Sequence, residues 1–430
     1  MTQDAAGTGP ARGGFVEVLA VFTRLGLTSF GGPIAHLGYF RAELVERRRW
    51  LDDRAYADLV ALCQFLPGPA SSQVGIGLGY RRAGLPGALA AWLGFTLPSA
   101  LALAAFAFGV QAVGDLQGAA WLDGLKIVAV AVVAHAVWGM ATTLTPDAPR
   151  ITVAIAAAIA ALTWTGAAAQ LAIIAGGAVL GLTWLPRPGD DAGTVRSAAA
   201  VPGGVSRRAG AVLLAVFAAL LVALPLAREA TGSRAAGTAD AIGVADAISV
   251  ADAIGVADAF FRTGSLVFGG GHVVLPLIQA EVVPTGWIDD ATFTAGYGAA
   301  QAVPGPLFTF AAFLGASMAP GAAGVGLALI ALLAVFLPSF LLLLGVLPFW
   351  ESLRRRAVVR RALVGVNAAV VGLLLAALYH PVWTAAVAGP RDAALVLAAY
   401  LALAVWRTPP WLVVVAGAGV TALLGAAGVG

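Results

Sequence analysis

Arg24 and Arg262 are the charges that most need an explanation, because each sits in apolar surroundings at the same place in a repeated pattern. Each lies six residues before the phenylalanine of a glycine-rich block, Phe30-Gly31-Gly32-Pro33 in one half and Phe268-Gly269-Gly270-Gly271-His272 in the other. An unpaired charge inside a bilayer costs about 2.5 kcal/mol or more, so an intramembrane arginine marks a functional site by default. A guanidinium suits bidentate contact with an oxyanion; snorkelling to the headgroups is the competing reading. Lys126 stands where the other half has Asn367, in Gly124-Leu-Lys126 against Gly365-Val-Asn367. A cation and an amide at one level would line an asymmetric polar path, against Lys126 snorkelling outward.

Glycine and proline supply the second element of that chemistry. The two glycine-rich blocks and the two breaks Pro67-Gly68-Pro69 and Pro304-Gly305-Pro306 end or interrupt helices. Irregular backbone at membrane depth survives only under protein or beside a water-filled cavity. A broken helix also presents free N–H groups and a positive dipole end, which favour an anion. Four such ends meeting near a pseudo-twofold axis would form an anion cage. Gln64, Gln301, Ser71, Ser72, Gln73 and Thr309 flank the Pro-Gly-Pro breaks as hydrogen-bond donors, with interhelical bonding as the plainer role. His36 and His272 follow the glycine blocks without metal-ligand spacing and read as capping or interfacial residues before a proton relay. Glu43, Asp52, Asp53, Asp289 and Asp290 read as caps and ion-pair partners.

The elements that position these residues are read from composition. With 60% hydrophobic and 11% charged residues the chain lies far outside the soluble range, where about a quarter of residues are charged. Its mean hydropathy of +0.91 places it in a bilayer. Runs rich in Ala, Leu and Val, without strand-like alternation, predict an all-α integral membrane protein. Full spans are predicted at 86–110, 124–144, 150–165, 167–185, 209–227, 321–349, 362–379, 385–406 and 410–429. Broken or re-entrant segments are predicted at 15–38, 55–80, 257–278 and 291–318.

The matched blocks include Trp50-Leu-Asp52-Asp53 with Trp287-Ile-Asp289-Asp290, and Pro98-Ser99 with Pro338-Ser339. An internal repeat with broken helices in corresponding positions points to a transporter's binding site. Arg41, Arg47, Arg48, Arg49, Arg54, Arg81 and Arg82 lie in first-half stretches, whereas Gln279 to Asp290 has no Lys or Arg. Conversely Gln111 to Asp123 has no basic residue, while its counterpart carries Arg354, Arg355, Arg356, Arg360 and Arg361. Lys and Arg favour the cytoplasmic side, so equivalent loops lie on opposite faces and the repeats are inverted. The five full spans between equivalent points, an odd number, give the same answer.

The organisation expected is a polar tail at 1–14, a first repeat at 15–185, a polar loop at 186–208, and a linking transmembrane helix with its loop at 209–238. A hexapeptide tract at 239–259 and a second repeat at 260–430 complete it. The tract repeats Ala-Asp-Ala-Ile-Gly/Ser-Val; a six-residue period turns a helix by about 600° and holds no single face, so it reads as low complexity, an acidic cation lure being the alternative.

The lone Cys63 excludes an internal disulfide and argues against a thiol metal site. No basic n-region precedes an apolar run at the start, so no cleavable signal peptide is expected. No phosphate-binding loop, His-Glu-x-x-His or nucleophile elbow is present, which disfavours an ATP-driven pump and an enzyme. No cofactor, metal or nucleic acid is expected.

Taken together, Phe30-Gly-Gly-Pro33, Trp50-Leu-Asp-Asp53, Gln64-Phe-Leu-Pro-Gly-Pro69, Phe268-Gly-Gly-Gly-His272 and Gln301-Ala-Val-Pro-Gly-Pro306 resemble the chromate ion transporter family in its long, two-domain form. The resemblance implies a bacterial-type inner-membrane protein that exports chromate and confers chromate resistance, with sulfate as a competing analogue. The partners implied are chromate or sulfate and the lipid bilayer, with a homodimer left open. Moving a dianion out of a cell with a negative interior releases about 4.6 kcal/mol per 100 mV, from roughly 2.3 kcal/mol per charge. Export driven by potential or by exchange, around a midplane site alternately exposed, is therefore the expected function. A sulfate uptake carrier is the closest competitor and needs a titratable core carboxylate; an anion channel would conduct without saturable turnover.

Overall fold

In the computed structural model, residues 13–30, 32–113, 120–164, 167–185, 204–231, 248–267, 274–354 and 356–427 are described. Gly31, Phe268, Gly269, Gly270, Gly271 and His272 lie outside them, as do most of the polar loop at 186–208 and the first part of the hexapeptide tract. The protein is all-α, with no strand among the described residues.

The first half runs α1 (Phe15–Thr28), α2 (Gly32–Phe40, continued by a π-helical stretch Arg41–Arg47), α3 (Asp53–Phe65), α4 (Ala70–Val113), α5 (Ala120–Leu144), α6 (Ala148–Thr163) and α7 (Ala167–Thr183). A linking helix α8 (Arg207–Ala230) follows. The second half runs α9 (Val250–Leu266), α10 (Val274–Val282), α11 (Asp290–Ala302), α12 (Phe310–Ser317, entered through a 3-10 turn Leu307–Thr309), α13 (Gly321–Val346), α14 (Trp350–Arg354), α15 (Ala357–Ala377), α16 (Thr384–Ala386), α17 (Pro390–Ala404) and α18 (Pro410–Ala426).

Proline and glycine decide where these helices stop. α1 and α2, of 14 and 9 residues, are about 21 and 14 Å long at 1.5 Å per residue, too short for a hydrocarbon core of about 30 Å. α4 is two helices that meet at Ala83 and Gly84, whose backbones are non-helical, directly after Arg81 and Arg82. Five stretches are long and apolar enough to span: Ala70–Ala112, Ala120–Leu144, Arg207–Ala230, Gly321–Leu353 and Ala357–Ala386. Between α1 and α9 lie three of these stretches, in α4, α5 and α8, and two shorter apolar helices, α6 and α7. Counted together as crossings they make five, the odd number that inverted repeats require.

Two local differences from the sequence reading have clear causes. The span expected over 385–406 starts only at Pro390, because Gly389-Pro390 restarts the helix after the π-helical Leu378–Trp383 stretch. α9 begins inside the hexapeptide tract, capped by the Ser249 hydroxyl, which accepts the Asp252 N–H.

The halves are interlocked. α5 packs on α17 and α18 of the other half, and α15 packs on α6 and α7. Each exchange closes over matched glycines: a Cβ on Gly124 would strike the Gly417 carbonyl and Thr421, and one on Gly365 would strike Gly177 and Gly181. Small residues four apart let membrane helices approach to backbone contact. Leucine at Gly124 or Gly365 is therefore expected to abolish the monodisperse peak of the purified protein in size-exclusion chromatography. A stable, monodisperse Gly365→Leu protein would contradict the interlock.

Candidate functional site

The breaks of the two repeats dock on each other. The Gly68 N–H of the first Pro-Gly-Pro donates to the Val267 carbonyl, which precedes the second glycine block, at 2.6 Å. Reciprocally, the Gly305 N–H donates to the Ser29 carbonyl, which precedes the first glycine block, at 2.9 Å. Gly68 and Gly305 adopt φ of +119° and +97°, conformations that exclude other residues without strain. The starts of α2, α4 and the Leu307–Thr309 turn follow these breaks directly, so three helix N-termini open from one central region.

That region holds polar side chains without partners. Ser29 Oγ, His36 Nε2, Ser72 Oγ, Gln73 Oε1, Thr96 Oγ1 and Ser339 Oγ are buried and make no hydrogen bond among the described residues. On α11, Thr294 Oγ1 and Gln301 Nε2 are in the same condition. Most buried polar groups in proteins are paired, so a concentration of exceptions around two helix breaks calls for a ligand or water. Ser71 is buried with its Oγ 3.3 Å from His36 Nδ1, and Gln73 Nε2 donates to the Pro67 carbonyl at 2.7 Å.

Two of the three charged candidates are ion-paired. Arg262 is held by carboxylates: its Nη2 lies 2.8 Å from Asp258 and 2.9 Å from Glu281. Arg228 of α8 joins them, 3.2 Å from Asp258. Arg24 is exposed on α1 and makes no ion pair among the described residues. Glu43, which corresponds to Glu281 in the repeat, is bound instead by Arg47 and Arg48 at 2.6 and 2.7 Å. Desolvation pushes the Glu43 carboxyl up, but the hydrogen bonds from Arg48 and Arg47 outweigh it and hold the group below the ordinary carboxylate value. Lys126 pairs with Asp123 at 2.9 Å, and Asn367 is half-buried on α15.

Phe30 sets its half-buried ring against Trp411, with centroids 6.0 Å apart and planes tilted by 43°, and Pro33 is half-buried in the first turn of α2. Gln64 is exposed, Pro67 and Pro304 are half-buried, and Pro69 and Pro306 are buried. Asp52 and Asp289 cap α3 and α11 by accepting the Ala55 and Thr292 N–H groups.

Sequence reasoning passed over Asp258, Glu281 and Arg228. Asp258 was set aside with its tract, although its spacing of one helical turn from Arg262 was visible. Ser339 and Thr96 sit in or beside matched blocks, but only the fold turns them toward the breaks. The matched Trp50 and Trp287 each lie under a guanidinium, Arg82 at 5.2 Å and Arg228 at 5.6 Å, and Arg82 is paired with Glu17.

The two repeats are not equally closed. α11 packs on α5 and α18, and a Cβ on Gly298 would collide with the Leu125 carbonyl. The matching face of α3, formed by Ala57, Ala61 and Gln64, is exposed, and α3 has no comparable packing on α15 or α7.

A family model described as chromate transporter matches residues 16–182 and again 254–423. The chromate transport protein of Pseudomonas aeruginosa is 30% identical over 367 residues, covering 84% of this chain and 79% of that protein. The chromate transport protein of Cupriavidus metallidurans is 25% identical over 366 residues, covering 84% and 81%. An uncharacterized transporter of Methanocaldococcus jannaschii is 25% identical over 363 residues, covering 84% and 83%. No solved structure matches the chain significantly.

Proposed function

The chain belongs to the chromate transporter family, and from that premise we propose that it exports chromate, and the like-shaped sulfate, from the cytoplasm of a bacterial-type cell. The observation that carries this reading is the reciprocal docking of the two repeats' breaks through Gly68–Val267 and Gly305–Ser29. It gathers helix N-termini and unpartnered donors at one place near the pseudo-twofold, where a tetrahedral anion would be held. The inside-negative potential drives a dianion outward, worth about 4.6 kcal/mol per 100 mV at roughly 2.3 kcal/mol per charge, and opposes its entry.

Alternating access is supported by the unequal closure of the hairpins. With the arginine-rich face cytoplasmic, the open face of α3 belongs to a cytoplasm-open form, in which α11 seals the other side against α5. In the opposite form α3 packs on α15 near Val366, the repeat counterpart of Leu125, and α11 withdraws. A cysteine at Ala61, with Cys63 replaced by serine, is expected to react with a water-soluble maleimide added on the cytoplasmic side, whereas one at Thr294 stays protected. Equal protection of both would remove the basis for this assignment. In this reading Arg24, exposed on α1, draws the anion in.

The uptake reading requires a core carboxylate that titrates. Asp258 and Glu281 are buried, but guanidiniums hold both. The deciding experiment is chromate flux in proteoliposomes under an imposed potential without a pH gradient. Saturable movement toward the positive side, competed by sulfate, is expected. Flux only with a proton gradient would favour the coupled carrier, and non-saturating conduction would favour a channel.

A further inference from the structure

We propose that the anion binds at one site per chain, on the start of α4 at the first Pro-Gly-Pro break, and that neutral donors from His36, Ser72 and Ser339 contact it. This rests on the oxyanion reading above and narrows it. α4 begins directly after Pro69, so the Ser71 and Ser72 amides lie in its first turn, where the N–H groups lack intrahelical acceptors. Ser339 and His36 meet that turn from other helices, and Ser72 and Gln73 lie on it. Ser339 Oγ and Gln73 Nε2 lie 3.0 and 2.6 Å from where a Cβ on Gly68 would sit, so both face the break. His36 Nδ1 is 3.3 Å from Ser71 Oγ on the same turn. His36, Ser72, Gln73 and Ser339 are at most 3% exposed, yet His36 Nε2, Ser72 Oγ, Gln73 Oε1 and Ser339 Oγ have no partner among the described residues. In the tautomer that accepts the Ser71 hydroxyl at Nδ1, the neutral imidazole carries its proton on Nε2, and the proposal assigns that tautomer to the anion-bound form.

The repeat provides its own comparison. Ser72 corresponds to Thr309, whose hydroxyl donates to the Pro306 carbonyl at 2.7 Å. Ser339 corresponds to Ser99, whose hydroxyl donates to the Thr96 carbonyl at 3.1 Å. Ser71, Gln73 and His36 correspond to Phe308, Phe310 and Val274, all buried. The second helix start is thus apolar with its hydroxyls satisfied, and the first is polar with its donors free. Ser29 and Thr96, also unpartnered among the described residues, lie between the two breaks: the Ser29 carbonyl accepts the Gly305 N–H, and Phe95, which precedes Thr96, packs its ring edge-on against His36 at 5.2 Å and has its carbonyl 3.1 Å from where a Cβ on Gly305 would sit.

The proposed set contains no Lys or Arg among the described residues; Arg262 and Lys126 are paired with carboxylates. The ligand class is a tetrahedral oxyanion, because the three groups that contact it, on His36, Ser72 and Ser339, can donate; the Gln73 amide oxygen only accepts and is not among them. A neutral site also leaves the full charge of the anion to be driven by the potential.

The test is equilibrium binding of radiolabelled chromate and of sulfate to the purified full-length protein in nanodiscs, with thermal melting to confirm equal folding. One anion per chain is expected. Ser339→Ala and Ser72→Ala, which each remove one hydroxyl, should raise Kd about tenfold or more, as loss of a hydrogen bond to a charged group does. Ser99→Ala, at the matched position, should stay within about twofold, and His36→Gln, which keeps a donor, should bind better than His36→Leu. Two anions per chain, or an equal loss in Ser99→Ala, would overturn the single site. Unchanged binding in Ser72→Ala and Ser339→Ala would overturn its placement while leaving oxyanion transport standing. A folded wild-type protein that binds neither anion would bring down the functional reading beneath it.

Discussion

Chromate transport is expected to fall by about tenfold or more when Gly68 or Gly305 becomes alanine, with the protein still present in the membrane at its normal amount. Both residues adopt φ values that an L side chain reaches only with strain, of about 1–3 kcal/mol. The new methyl group also has nowhere to go. On Gly68 it would lie 2.6 Å from Gln73 Nε2, which is anchored on the Pro67 carbonyl, and 3.0 Å from Ser339 Oγ. On Gly305 it would lie 2.8 Å from Ser99 Oγ and 3.1 Å from the Phe95 carbonyl, part of a helix backbone. Relief requires moving the break, which gives up the N–H bond that ties it to the opposite repeat. Since about 1.4 kcal/mol is tenfold in an equilibrium, strain of this size suffices. Gly84→Ala separates backbone strain from position: Gly84 has φ +66°, but its nearest neighbour would be Pro86 Cδ at 4.0 Å. It should transport at close to the wild-type rate. The readout is chromate accumulation in inside-out vesicles, normalised to transporter content; wild-type rates in Gly305→Ala would show that the break does not border the transport path.

Arg262→Ala is expected to act on stability, whereas Arg24→Ala, at the same repeat position, acts on transport. Arg262 and Arg228 balance Asp258, which is 0% exposed, and Glu281, which is buried. Removing one guanidinium leaves two carboxylates facing a single cation, and breaking a buried pair in this way costs about 3–5 kcal/mol. The purified Arg262→Ala protein should melt at a lower temperature and be less abundant in the membrane. Adding Asp258→Ala should recover part of the loss, since Arg228 and Glu281 then remain as a balanced pair. Arg24 is exposed and unpaired among the described residues, so Arg24→Ala should melt with the wild type while lowering the flux. Fluorescence-detected size-exclusion melting distinguishes the two. An Arg262→Ala protein that is stable but inactive would mean that the ion cluster opens during transport and that Arg262 does reach the anion, as its repeat position suggested.

Much of this protein was legible in its amino-acid sequence, for a local reason. Glycine and proline interrupt a helix through their own covalent geometry, and arginines choose a membrane face through their own hydration. The short helices α1 and α2, the breaks at Pro67-Gly68-Pro69 and Pro304-Gly305-Pro306, and the inversion of the repeats therefore follow from residue type and order. The matches to the chromate transporter family fall on the same two stretches.

The partners of each residue are another matter, because an apolar helix face of Ala, Leu and Val packs on many others with little difference in energy. That α5 joins α17 and α18 of the opposite half, and that the first-repeat hydroxyls stay free while their second-repeat counterparts are satisfied, depended on the assembled bundle. Arg24 and Arg262 show the division most clearly. The sequence by itself determined that they are equivalent in position. Only the tertiary structure, by bringing α8 and α10 against α9 with Arg228 and Glu281, decided that one is neutralised and the other free, since a charge takes its role from what lies within a few ångströms.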